Sequence, residues 1–435
     1  MSVAVCFGLV YLLAGSTDAP RTRAAVTRSP RPPVGTAPSP TVSSPAVADA
    51  AQRGLAELLG RGGRSIVTWN HRTGLWGGHI KSNWWQSALA VLTIVRYAER
   101  THDVGAVYQR VLHRIYARNI YKPHATARHN FANEFMDDTA WWGLAWLEAS
   151  RYELYVRHNR TDAARFEAVA EADARYIAAA PKVCGGIVWA LRRPPDTITS
   201  AEFVALTAGL YSYTSRPGPF YQPLQAWTWL NDALDALNWL KRAHLVDVHA
   251  GMVVNGLNAK CRRIGGSMTY TEGEIADALV SLGTALHDSS YYRQAARFFR
   301  YTLSRRSGLN AHGVLTERCE SQDGGCRRLK YRLDIPAYKG LFINAVVDWS
   351  AATRSHRYRS FLRAQASAVV DDAIAPALDG SPACSTAQSC QFNFVWTQPT
   401  APSSTAIGVT VGGQESALDA LTAVLPWSGP APVAS

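Results

Sequence analysis

The stretch DTAWWGLAWLEASRYELYVRH, residues 138–158, decides how the rest of the chain is read. Wound as a helix, its Trp141, Trp142, Leu144, Trp146, Leu147, Tyr152, Leu154 and Tyr155 cover most of the circumference. A helix that is apolar all round is buried on every side. Residues 161–180 differ: Phe166, Val169, Ala170, Ala174 and Ile177 recur at three- and four-residue steps, the pattern of a helix with one buried face. Working outward, the pattern predicts helices over about 49–60, 82–101, 104–119, 138–158, 161–180, 200–215, 221–243, 273–287, 290–307, 335–353, 357–374 and 413–424.

The connectors alternate in length. Short polar turns such as Thr101-His102-Asp103 join some helices, while long Gly- and aromatic-rich stretches, 60–81, 120–137, 181–199, 244–271, 308–334 and 375–412, join others. Long structureless loops in a compact domain are usually functional. Together these features predict an all-α fold, an (α/α)6 barrel, with inner helices apolar all round and outer helices amphipathic. The long loops would gather at one end as a cleft. An α-solenoid would need a fixed-period repeat, and none is present.

Residues 1–15, MSVAVCFGLVYLLAG, are too short to span a bilayer and resemble the apolar region of a secretory signal, or else a short membrane anchor. The basic segment that normally precedes such a region is missing. Residues 16–48 are rich in Pro, Ser, Thr, Ala and Arg, and Pro30, Pro32, Pro33, Pro38, Pro40 and Pro45 predict a disordered linker. The barrel is then expected over 49–427. Export predicts disulfides. Beyond Cys6 there are six cysteines: Cys319 and Cys326 flank ESQDGG, Cys384 and Cys390 flank STAQS, and Cys184 is left with Cys261. The chain is expected to be secreted or held at the cell surface.

The 435 residues carry a net charge of +12, yet only seven of the 45 basic residues are Lys. That arginine bias forms no long basic run and no nucleic-acid motif, so nucleic acid is excluded as a partner. The charge could favour approach to an anionic cell surface or cell wall. With 14 Trp and 18 Tyr against 18% charged residues, the composition suits sugar stacking, although a Trp-filled helical core would look the same. The 12 His form no HExxH, no zinc spacing is present, and GxSxG is absent, so no metal or cofactor is expected.

Asn133-Glu134-Phe135-Met136-Asp137-Asp138-Thr139-Ala140-Trp141-Trp142 is the strongest constellation. Glycoside cleavage with retention needs two carboxyl groups about 5 Å apart. Neighbouring aspartates at a loop-to-helix junction can meet that distance, whereas inside a regular helix they diverge by about 100°. Like charges so close hold one group protonated. The plain alternative is an Asp that merely caps a helix. Trp84-Trp85, Trp189, Tyr211, Tyr221, Trp227 and Trp229 lie near loop ends and could serve as sugar platforms or as core. The segment from Gly265 to Glu274 could place Tyr270 and Glu272 in the cleft, or simply cap a helix with Thr271 and Glu274.

At this point the chain resembles glycoside hydrolase family 76, retaining endo-α-1,6-mannanases and related transglycosidases. The resemblance rests, in order, on Trp84-Trp85, on Met136 to Trp142, on Cys184-Gly185-Gly186-Ile187-Val188-Trp189, on Tyr270-Thr271-Glu272-Gly273, on Tyr338-Lys339-Gly340-Leu341-Phe342 and on Gln414-Glu415-Ser416-Ala417-Leu418-Asp419. It implies an (α/α)6 barrel, a double displacement with Asp137 as nucleophile and Asp138 as acid/base, and Trp84, Trp85, Asn133, Trp141, Trp142, Trp189, Tyr270 and Glu272 around the substrate. Two blocks depart from the family: Thr271-Glu272 replaces the usual Asn-Gln, and Ser200-Ala201-Glu202 replaces Ser-Asn-Glu. The implied substrate is an α-1,6-mannan or lipoglycan backbone, acted on by a monomer. A transglycosidase, a non-catalytic glycan-binding protein and an unrelated (α/α)6 enzyme are the competing readings.

Overall fold

The structure, a computed structural model, describes residues 44–60, 67–77, 83–120, 131–320, 325–326, 329–374, 390–397 and 409–426. Among these are twelve α-helices: α1 (Ser44–Leu58), α2 (Asn83–Thr101), α3 (Ala106–Asn119), α4 (Met136–Arg151), α5 (Arg160–Ala178), α6 (Thr197–Thr214), α7 (Pro223–Arg242), α8 (Thr269–Leu286), α9 (Ser289–Thr302), α10 (Tyr338–Thr353), α11 (Arg359–Asp372) and α12 (Val411–Thr422). The even-numbered helices pack in a closed ring, α2 on α4, α4 on α6, α6 on α8, α8 on α10, α10 on α12 and α12 on α2. The odd-numbered helices lie outside it, each against one or two ring members. The fold is the all-α (α/α)6 barrel.

Burial explains which helix goes where. Every residue of α12, and every residue of α6 except Tyr211, is buried, as a ring helix flanked on all sides requires. The outer helix α9 buries only Ala295, Ala296, Phe298, Phe299 and Thr302. Ring neighbours also approach closely. A Cβ on Gly273 of α8 would stand 2.8 Å from Phe342 Cα of α10, and one on Gly340 of α10 would stand 2.8 Å from Ser416 Cα of α12. These glycines let backbone meet backbone across the ring.

The ring helices run parallel, so their N-termini share one end, here called the mouth. At mid-height Arg96 of α2 grips Asp348 of α10 with bonds of 3.2 and 2.8 Å, and Asn344 of α10 donates to Asp419 of α12 at 3.0 Å. The long connectors all enter ring helices at the mouth, and the short turns lie at the closed end. Four two-residue antiparallel hairpins stiffen the mouth loops: β1–β2 (Lys182–Val183, Gly186–Ile187), β3–β4 (Val246–Asp247, Met252–Val253), β5–β6 (Gly256–Leu257, Arg263–Ile264) and β7–β8 (Asn310–Ala311, Val314–Leu315). A disulfide, Cys184–Cys261, ties the first hairpin loop to the third, and Cys319–Cys326 closes a small loop. Cys390 is also disulfide-bonded, while its expected partner Cys384 lies outside the described residues.

Several boundaries differ from the sequence reading; α9 ends at Thr302 instead of 307, and three other differences have a clear physical cause. Helix α1 begins at Ser44, inside the stretch read as linker. Pro45 sits in its first turn, where a missing N–H has no intrahelical partner to lose. The helix read over 138–158 ends at Arg151 and runs on as one π-turn, Tyr152–Val156. Helix α8 starts at Thr269 rather than 273, because Met268 N–H donates to Thr271 Oγ1 at 2.9 Å; Thr271 completes the cap from inside the helix instead of being the cap. The N-terminal segment 1–15 and linker residues 16–43 lie outside the described residues.

Gly273→Ala is expected to destabilise the fold by about 3 kcal/mol, because its methyl meets the α10 backbone rather than a side chain that can swing aside. Urea unfolding followed by circular dichroism checks this. A midpoint equal to the wild type's would mean that the ring does not close as tightly as described.

Candidate active site

The first turn of α4 stands at the mouth. Its N-cap, Phe135, is extended and offers no side-chain cap. Backbone bonds hold it instead: Met136 N–H donates to the Trp189 carbonyl at 2.8 Å, and Leu191 N–H to the Glu134 carbonyl at 2.9 Å. Phe135 stacks on Trp189 with ring centroids 5.6 Å apart. From behind, the buried Asp173 carboxyl of α5 accepts the Phe131 N–H at 2.9 Å. The helix start is therefore fixed by backbone bonds and ring packing, and neither Asp137 nor Asp138 occupies the N-cap position.

Asp137 and Asp138 lie inside the first turn, where the helix dipole favours negative charge. Asp137 Oδ1 accepts the Asp138 N–H at 3.0 Å. Asn133 Oδ1 accepts the Phe135 N–H at 2.8 Å, which orients the amide so that Nδ2 donates to Asp138 Oδ2 at 2.7 Å. Both carboxyls keep partial solvent access, yet protein surrounds them closely. Burial, then Asp138 and Asp196, raises Asp137 well above the usual carboxylate range. Burial pushes Asp138 up to about 7 against the pull of the Asn133 hydrogen bond, with Asp334 and Glu134 adding to the rise.

More acids converge on the same place. Asp196, the N-cap of α6, accepts the Thr199 N–H at 2.9 Å, and burial lifts it to about 6. Nearly two turns deeper, Glu202 is buried with neither oxygen hydrogen-bonded among the described residues, and burial together with Asp137 raises it strongly. Tyr270, in the first turn of α8, stacks on Tyr338 of α10 with centroids 3.9 Å apart. Its hydroxyl donates to Asn255 Oδ1 at 3.3 Å. Burial, Asp196, Asp137 and Glu202 all hold that hydroxyl protonated, which brings Tyr270 within the electrostatic reach of the aspartates. Asp196, Asn255 and Asp334 escaped the sequence reading. The only signal for Asp196 was its place after Pro194-Pro195 and before a helix, which reads as a cap, and it is one.

The aromatic candidates divide into two groups. Trp85 is half-buried and Trp141 mostly buried, with their rings 6.5 Å apart; Trp189 is half-buried on Phe135. Trp84 and Trp142 are different. Their rings are 5.1 Å apart and both pack on Phe131, with Trp142 fully buried against Trp146. Substrate contact does not fit Trp142, whose faces are covered, so it supports the wall behind the aspartates. Glu272 is likewise fully buried, raised to about 8 by burial against the Ser267 hydroxyl and the Val253 backbone. Among the described residues no group of three His, Cys, Asp or Glu is placed to hold a metal ion.

A mouth of parallel helix N-termini that gathers aromatic rings around several acids is the architecture of an (α/α)6 glycoside hydrolase. The profile of glycosyl hydrolase family 76 matches residues 65–434, and the chain belongs to that family. No curated protein matches the chain by sequence. Among solved structures it is similar to the α-1,6-mannanase of Salegentibacter sp. HEL1_6, in an inactive variant with two successive aspartates changed to asparagine and α-1,6-mannotriose bound (TM-score 0.62, 17% identity, covering 87% of this chain and 98% of that one). It is also similar to Dfg5 from Chaetomium thermophilum in complex with glucosamine (TM-score 0.66, 19% identity, 88% and 90%) and to a family 76 mannosidase of Bacteroides thetaiotaomicron VPI-5482 (TM-score 0.60, 12% identity, 86% and 97%). At these identities the likeness concerns the fold.

The raised carboxyls set a pH dependence of stability. Asp138, Asp277, Glu317 and Asp419 at about 7 and Glu272 at about 8 all lie above the unfolded range. A group whose folded pKa is raised contributes stability that is fully present below its unfolded pKa, near ~4, and lost as pH rises through the folded value. The thermal midpoint is therefore expected to fall between about pH 5 and pH 8. A midpoint that rises across that window would contradict the burial of these groups.

Proposed function

We propose that the chain is an exported, monomeric retaining hydrolase of α-1,6-mannosidic linkages, with Asp137 as nucleophile and Asp138 as acid/base. The observation that carries this reading is the aspartate pair itself. Two neighbouring carboxyls stand in the first turn of a ring helix, excused from capping, and their environment keeps a proton on the pair near neutral pH. Double displacement needs that asymmetry: a carboxylate attacks the anomeric carbon while a carboxylic acid protonates the departing oxygen. The Asp138 N–H on Asp137 Oδ1 works against the burial that raises Asp137, and the helix dipole favours negative charge on this turn as a whole. A proton on Asp138 then serves the leaving sugar, and after departure the same carboxylate takes a proton from water. Which aspartate plays which part comes from the family resemblance. The substrate comes from the relatives: in the Salegentibacter mannanase, the variant with successive aspartates replaced is inactive and its complex holds α-1,6-mannotriose.

Trp85, Trp141, Trp189 and the Tyr270–Tyr338 stack would line the sugar path, with Trp84, Trp142 and Glu272 supporting from behind. The disulfides suit an extracytoplasmic enzyme. Residues 1–15 would direct or anchor the chain, 16–43 would tether it, and 44–427 would form the catalytic domain. A second reading keeps the same covalent intermediate and passes the glycosyl group to a sugar instead of water. The relative Dfg5, crystallised with glucosamine, keeps that reading open. Product analysis of mannan oligomers with and without added acceptor separates the two.

Asp137→Asn should abolish turnover of every mannoside, because an amide cannot form the glycosyl ester. Asp138→Asn should slow natural α-1,6-manno-oligosaccharides by about 10²–10⁴-fold. It should spare the first step on aryl mannosides, whose leaving group departs unaided, and azide should then restore turnover. Near-normal rates in both variants on mannan oligomers would sink the assignment. A wild type that binds mannosides without cleaving them would favour a glycan-binding role. Asn133→Ala supplies an independent check: it removes the hydrogen bond that favours the charged Asp138, so the alkaline limb of kcat/KM should move upward from about 7. A limb that stays put or moves down would show that Asp138 is not the acid.

A further inference from the structure

The end of the barrel away from the mouth carries features that sugar cleavage does not use. Large apolar side chains stand in solvent there at the α6–α7 turn and the start of α7: Leu224 is 87% exposed, Trp227 59% and Tyr221 50%. Isolated exposed apolar residues are ordinary, but three within seven residues, beside the half-exposed Tyr155, form a patch. Across the next turn, Arg216 bonds His287 at 2.9 Å, linking this patch to the start of α9. There Arg293 and Arg357 line a cleft of about 350 Å³ with Tyr292, Trp349 and Thr353; Arg297, about two turns into α9, also borders it but donates to the Val248 carbonyl of the β3–β4 hairpin at 2.9 Å, on the mouth side. Among the described residues none of these arginines is in an ion pair with a carboxylate, and no acid lines the cleft; Asp288, whose carboxylate caps α9 by accepting the Ser290 N–H at 2.8 Å, lies at its edge.

We propose that this closed end docks on an anionic lipid surface, with Tyr221, Leu224 and Trp227 entering the interfacial layer and the cleft beside Arg293 and Arg357 receiving a phosphate headgroup. Trp and Tyr favour the headgroup level because one end of each ring is apolar and the other polar. Basic residues beside such a patch add attraction to anionic lipid, and neither element binds firmly by itself. The path of the chain supports the same orientation. Gln414, in the first turn of α12, donates to the Gly54 carbonyl at 3.0 Å, which places the C-terminal half of α1 near the mouth. Helix α1 therefore starts, at Ser44, toward the closed end, and the stretch read as a tether joins the domain on the side that would face the membrane. The mouth then points away from the lipid, open to a polymer.

Co-sedimentation with vesicles tests this on the full chain. All proteins carry Leu9→Ser, Leu12→Ser and Leu13→Ser, so that the apolar N-terminal segment does not partition by itself. Vesicles are pure phosphatidylcholine, or equal parts of phosphatidylcholine and phosphatidylglycerol. The otherwise unchanged chain is expected to bind the mixed vesicles at least about tenfold more tightly than the neutral ones, and to lose most of that preference at high salt. Leu224→Ser with Trp227→Ala, and separately Arg293→Gln with Arg357→Gln, should each weaken binding to mixed vesicles by about tenfold. Melting temperatures and rates on soluble mannan oligomers should stay unchanged, which separates lost docking from lost folding. Equal binding to both vesicle types, or variants that bind mixed vesicles as tightly as the parent, would overturn the proposal. So would arginine variants that lose retention on heparin but not on vesicles, because the cleft would then serve a soluble polyanion.

Discussion

Closing six parallel helices into a ring is the constraint on which the rest of the molecule depends. Parallel helices in a ring put six N-termini at one mouth. The mouth is thus rich in unsatisfied N–H groups and positive dipole ends before any side chain is chosen. Acids settle there readily: Asp137 and Asp138 on α4, Asp196 before α6, Glu272 on α8 and Glu415 on α12. The same closure buries ring helices on every face, so their polar side chains must find partners within the protein instead of water. Arg96 with Asp348 and Asn344 with Asp419 are pairs of that kind. Where no partner is supplied, as at Glu202 and Glu415, the carboxyl stays protonated and neutral instead of charged.

This explains why the aspartate pair can be functional even though its residues are in helix. Two consecutive residues of a helix point about 100° apart, which works against a shared target. The mouth compensates, because α4 is one wall of a ring and its first turn looks both across the axis and up toward the loops. Asp196 acts on Asp137 from the neighbouring ring helix α6, while Asn133, Glu134 and Asp334 act on Asp138 from the loops. The pair is tuned by elements far apart in the chain. That is also why the tuning could not be read from the pair's own ten residues.

What the sequence revealed and what it hid follow the same logic. The ring and outer helices were legible because periodicity records burial, and the two helix types bury differently: α6 on all sides, α9 on one. The aspartate pair was legible because its neighbours are unusual. Trp142 was not, since a tryptophan in a helix apolar all round has the same pattern whether it faces sugar or core; only its contacts with Phe131 and Trp146 decide. Asp196 was hidden by doing two things at once, capping α6 and charging the mouth. The α8 start was missed because Met268 is no cap by residue type; the cap is completed by Thr271 folding back onto its N–H. The start of α1 was missed because prolines predict disorder by composition, while a single Pro in a first turn is compatible with a helix.

The interior also shapes how the exterior meets other molecules. The formal charge of +12 counts every Asp and Glu as ionised. Yet Asp138, Asp277 and Asp419 titrate near 7, Glu272 near 8, and Asp173, Glu202 and Glu415 are raised well above the carboxylate range. At neutral pH many of these carry a proton, so the acids that balance the arginines on paper do not balance them in the fold. The missing negative charge lies along the barrel axis and at the mouth, while the arginines stay ionised on the outer wall. The folded molecule is therefore more positive than its composition states. Protonated carboxyls serve the site by holding a transferable proton.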